Sequence, residues 1–145
     1  MADSPMIEPA EQRAFDELQL YTLSHGRREF IHQYAVDAWM AQHADAGTRP
    51  IGLTFALVGL YLHLEKGLTG RQVQRLHMAL ALRRPQWLSF ALPDERGALG
   101  ARDVIAAPPG PERDRALDAW CGAVWAAYGD SHRKVVEWLR LQGIE

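Results

Sequence analysis

The sequence holds one cysteine, Cys121, so no internal disulfide can form; that usage fits a reducing cytoplasm, which is the expected compartment. Lysine is also scarce, with two against fourteen arginines, a bias that reflects coding composition as much as chemistry. The first nine residues are polar and acidic instead of basic and then apolar, so no secretory signal is expected. No apolar run is long enough for a bilayer. The longest, Pro50 to Leu64 (PIGLTFALVGLYLHL), falls short of the ~20 residues a span requires. It carries His63 and closes on Glu65 and Lys66, and reads as a central core helix. A formal net charge of -2 gives no global attraction to nucleic acid or anionic membranes.

Strong catalytic signatures are missing as well. There is no HxxxH or HExxH pair, no GxGxxG and no P-loop. Gly97-Ala98-Leu99-Gly100 is too short to cradle phosphate. Ser89 and Ser131 lack a nucleophile-elbow context. Cys121, beside Trp120 on an alanine-rich stretch, reads as a small buried hydrophobe.

What remains is an ordinary globular composition. Over 145 residues, 48% are hydrophobic and 23% charged, which suits one domain with a real core and argues against disorder. The expected unit covers residues 1–145, with 1–8 flexible and 85–111 an ordered long connection. Five tryptophans make that core aromatic.

Helix signals dominate. A first helix is predicted from Pro9 to about Leu23, with Phe15, Leu18 and Tyr21/Thr22 on its inner face. A second, from about Arg27 to His43, has apolar stripes on two sides and is expected to be sandwiched. Thr48 is the expected N-cap of the third helix. Gly52 and Gly59, on one face of it, would admit another backbone, and Gly67 would end it. Thr69 and Gln72 have capping-box spacing at the head of a fourth helix, which Pro85 stops. The pattern then dissolves as far as Pro111, apart from a helical turn or two at Ala101 to Ala106. Glu112 to Tyr128, with Ala116, Trp120, Ala123/Val124 and Ala127 inward, and a last helix capped by Ser131 complete an all-α bundle of about five or six helices.

Histidines 32, 43, 63 and 77 fall inside predicted helices. His32 and His43 are three helical turns apart, on one face but ~16 Å apart along the axis, so they cannot ligate one ion together. An antiparallel hairpin of helices two and three would bring His32 level with His63 and put His43 opposite Gly52. His32 and His63, with Glu29 or His77, could then hold a divalent transition metal. The alternative is that each histidine is a core or boundary residue bonded to a carbonyl or carboxylate. Asp37, flanked by Val36 and Ala38, faces solvent or takes a partner such as an arginine or a tryptophan N–H from another helix.

The segment from His32 to His43 has the form HxxxVDAxxxQH. Together with Leu64-Glu65-Lys66-Gly67 and Trp120…Val124-Trp125, it resembles an uncharacterised family of small helical bacterial proteins, over about Phe15 to Leu139. The resemblance implies a fold and a candidate site at His32, Asp37, Gln42 and His43, and no reaction. Many members of that family begin with a small cysteine cluster that this chain lacks, so no metal role can be carried over from it.

Three functional readings follow. The leading one is a binding or interaction protein with a pocket on helix two formed by His32, Asp37, Trp39, Gln42, His43 and His63, for a small molecule or another protein, with a homodimer left open. The second is a metal-dependent enzyme centred on His32 and His63, with His77 as a further ligand. The third is a helix-turn-helix-like DNA reader using Arg71, Gln74 and Arg75, against which the negative net charge weighs.

Overall fold

The computed structural model describes residues 7–24 and 30–144. Among these the chain forms seven α-helices, one 3-10 turn and no strand. The helix beyond the expected five or six is the short segment at Ala101–Ala106, where a helical turn or two is predicted.

Helix α1 (Pro9–Ser24) buries Glu11, Ala14, Phe15, Leu18, Tyr21 and Thr22, a stripe at the i, i+3, i+4, i+7 spacing of one helix face. Helix α2 (His32–Gln42) starts later than the predicted Arg27. Residues 27–29 lie outside the described residues, and Phe30 sits at φ 52°, in the left-handed region that a right-handed helix excludes. As its two apolar stripes predict, α2 is sandwiched: it packs on α1, on α3 (Pro50–Lys66), on α4 (Gly70–Arg83) and on α6 (Pro111–Ala127).

The caps divide into those made and those not made. Gly67 ends α3 at φ 68°, where a side chain would be strained. Thr69 Oγ1 accepts the Gln72 N–H at 3.2 Å, while Gln72 Oε1 accepts the Thr69 N–H at 2.8 Å, which completes the predicted capping box. Thr48 does not cap α3; Arg49 occupies that position. The Thr48 hydroxyl instead accepts the Asp45 N–H at 2.9 Å, and Asp45 Oδ1 accepts the Gly47 N–H at 2.8 Å, so both side chains serve the turn. Ser131 occupies the N-cap position of α7 (His132–Leu141) but makes no side-chain cap bond.

Helix α5 (Ala101–Ala106) packs on α1 and α6. The buried face of α6 is Leu117, Trp120, Cys121, Val124 and Trp125. It is rotated from the predicted alanine-rich stripe, because the larger apolar side chains remove more surface from water. Between α4 and α5 the irregular connection is held by Trp87, Leu88, Phe90, Leu92 and Leu99, which pack against the core. Among the described residues no helix is long and apolar enough to cross a membrane.

Candidate functional site

Helix α2 carries the HxxxVDAxxxQH segment, and its rotation about its own axis decides what each residue meets. The hairpin with α3 is antiparallel, but the residues turned toward α3 are Tyr34, Asp37 and Met40. Tyr34 stacks on His63 with ring centroids 3.5 Å apart, and Met40 Sδ lies nearest the face of Gly52. His32 and His43 lie on the side of α2 that meets α1. His32 Nδ1 bonds the Thr22 hydroxyl at 2.9 Å, and Trp39 stacks on Phe15 with centroids 4.1 Å apart and planes 2° apart.

The three histidines considered as metal ligands are therefore held by different partners. His63 Nε2 pairs with Asp118 Oδ1 on α6 at 2.8 Å. His77 on α4 stacks on Phe55 at 4.6 Å, and burial pushes its imidazole down to about 4, against a backbone hydrogen bond at Phe55. No three His, Cys, Asp or Glu side chains converge as a ligand set among the described residues. Glu29 lies outside them.

Asp37 points into the α2–α3 interface and receives neither an arginine nor a tryptophan. Gln33 Nε2 donates to Oδ1 at 3.0 Å, and Oδ2 is buried with no hydrogen-bond partner. Burial raises the carboxyl well above the usual carboxylate range, with the Gln33 bond opposing. The space it occupies is the missing side chain of Gly59, since a β-carbon there would fall 2.6 Å from Asp37 Cγ. The Gly52/Gly59 face thus admits side chains and not a second backbone. Cys121, fully buried on α6, has its thiol pushed well up by burial first and then by the charges of Asp118 and Asp37, which makes it an inert core residue.

The open chemistry lies at the other end of α2. Gln42 is fixed at both ends of its amide: Oε1 accepts the Trp120 indole N–H at 2.9 Å, and Nε2 donates to the Leu99 carbonyl at 2.7 Å. Arg96, from the irregular connection, reaches under the helix end. Its Nη1 donates to the carbonyls of Gln42 at 3.1 Å and Ala44 at 2.9 Å, and its Nε donates to Pro93 O at 2.6 Å. A guanidinium suits the negative end of a helix whose last carbonyls have no intrahelical donor. Glu11 does the reverse for α5, accepting the N–H groups of Ala101 at 2.8 Å and Arg102 at 3.0 Å.

Between these anchors opens a cavity of about 430 Å³ lined by Glu11, Gln42, His43, Asp94, Arg96 and Arg102 among others. The His43 ring lies 4.0 Å from the Trp39 ring, which in turn rests on Phe15, so the wall is backed by a stack of aromatic groups. His43 Nε2 is buried without a hydrogen-bond partner. Burial lowers its affinity for a proton; the Glu11 charge opposes this, and the Arg96 charge adds a smaller lowering. Its imidazole is therefore neutral at pH 7. Of the six pocket residues read from the sequence, Gln42 and His43 line this cavity and Trp39 supports it; His32, Asp37 and His63 are engaged elsewhere.

A family model described as a family of unknown function, DUF5946, matches residues 7–129. The chain belongs to that family. No curated protein and no solved structure matches it. The matched span takes in α1 to α6 and so every residue lining the cavity, while α7 lies beyond it.

Arg71, Gln74 and Arg75 lie on α4. Arg71 donates to Gln74 Oε1 at 3.2 Å and stands 4.5 Å over the Phe30 ring. The residues that sequence reasoning missed are Glu11 and Arg96. Glu11 could have been found, since it is in phase with Ala14, Phe15 and Leu18 on the buried stripe. Arg96 sits in a segment without periodicity, and nothing local points to its partners more than fifty residues away.

Proposed function

We propose that the chain is a small-molecule-binding protein and that its ligand sits in the cavity at the C-terminal end of α2, against His43. The observation that carries this reading is the combination of an open volume of about 430 Å³ with a neutral, partly buried imidazole set on an aromatic stack. Ligand sites are typically concave, within about 300–1,000 Å³, with a few fixed polar groups on an apolar support. The polar groups here are fixed by contacts that a ligand need not provide: Gln42 by Trp120 and Leu99, Arg96 by the α2 carbonyls, and Glu11 by the α5 amides. A single cysteine, fully buried, supports a cytoplasmic setting.

The test is a fragment screen on the isotope-labelled protein, followed through backbone amide shifts. The reading expects hits to move the amides of Gln42, His43, Leu99 and Gly100 together. Hits confined to the smaller cavity by Tyr61, Lys66 and Ile144, or to the groove by Trp87 and Trp138, contradict it.

A further inference from the structure

We propose that the cavity beside His43 takes a positively charged organic ligand, an ammonium group on an apolar body; this rests on the reading of that cavity as the binding site. The walls carry Glu8, Glu11, Asp94 and Asp103 against Arg96 and Arg102, four negative charges to two positive, a local net of -2.

Both cations are already engaged by the protein. Arg102 reaches Glu8 at 3.3 Å and Glu11 at 3.6 Å. Arg96 directs Nε and Nη1 at backbone carbonyls and holds the end of α2. An anionic ligand would thus meet more carboxylates than cations. Asp94 and Asp103 are the carboxylates left over: Asp94 is exposed, and Asp103, whose Oδ2 accepts the Gly100 N–H at 2.8 Å, faces among the described residues no guanidinium partner like that of Glu8 and Glu11. An ammonium entering here gains from both, and more than it would in bulk water because the walls lower the local dielectric. His43, being neutral, adds no opposing charge. Ile7, Ala98 and Leu99 on the same walls provide the apolar surface that the body of the ligand would cover.

The experiment titrates the full chain with three probes of one shape, benzylamine, benzyl alcohol and benzoate, and follows the amides of His43, Leu99 and Gly100. Benzylamine is expected to bind best and benzoate worst. Asp94→Asn weakens benzylamine about fivefold, the size of one partly screened ion pair. Arg102→Gln, which removes a positive charge from the mouth, tightens it. Opposite signs for these two variants separate electrostatic recognition from a general disturbance of the fold. Benzoate binding at these amides as tightly as benzylamine overturns the cationic class and leaves the cavity as the site. Benzylamine affinity indifferent to both variants overturns it likewise. If none of the three probes moves these amides, both the class and the site are wrong.

Discussion

The Asp37 carboxyl fills the notch at Gly59, where a β-carbon would fall 2.6 Å from Asp37 Cγ. Neither group has room to yield, since Asp37 is 3% exposed and its neighbours Ala35 and Ala38 are fully buried. Gly59→Ala should therefore destabilise the fold by about 3 kcal/mol, the upper range for overpacking. Combining it with Asp37→Ala should recover part of the loss, because the two changes act on one space. Chemical denaturation of the two single variants and the double variant checks this; strictly additive losses would mean that the pair is not coupled.

Asp37 also gives the fold a pH dependence of definite sign. Its folded carboxyl holds a proton well above the usual carboxylate range because it is buried, whereas in the unfolded chain it titrates near ~4. The contribution is fully present below about pH 4 and is lost as pH rises through the folded value. Asp37→Asn keeps the shape and removes the proton. The stability of this variant relative to the parent should rise steadily from about pH 4 upward, measured by denaturation across pH.

His77 acts in the opposite direction. Burial lowers it to about 4, against about 6.5 in the unfolded chain. Stability is complete above about pH 6.5 and falls by about 3 kcal/mol as pH drops through the folded value. His32 and His43, also lowered by burial, add to the same slope. Replacing the ring with His77→Phe, which retains a face for Phe55, should flatten the acid limb of the stability profile without removing it.

Arg96 and Gln42 fasten the irregular connection to the end of α2. Arg96→Ala leaves the carbonyls of Gln42 and Ala44 without this donor and should cost about 2 kcal/mol. Arg96→Lys should recover little, since an ammonium cannot reproduce the fork. Hydrogen exchange should quicken around residues 93–100 more than in α3. Uniform loss of protection would show that the contact is not local.

Much of the fold could be read from the chain because its signals are local. The capping box of Thr69 and Gln72, the left-handed Gly67 and the turn of helix at Ala101–Ala106 each depend on residues a few positions apart. Thr48 misled because the Asp45 N–H of the preceding turn competes for its hydroxyl, and the turn took it. The site was harder to read. The spacing of His32 and His43 correctly put them on one face, but the rotational setting of α2 depends on packing, and only the structure assigns that face to α1. Gln42 and His43 were legible as motif positions; Arg96 and Asp94 reach the site through a connection whose path no periodicity encodes.

The central claim is that ligand binds against His43, and the side-chain resonances of the chain's six histidines test it most directly. Titrating ring-labelled protein with benzylamine should shift the His43 ring and leave His32 and His77, held by Thr22 and Phe55, where they are. An unmoved His43 ring at saturating benzylamine, or equal movement of His32 and His77, would contradict the account.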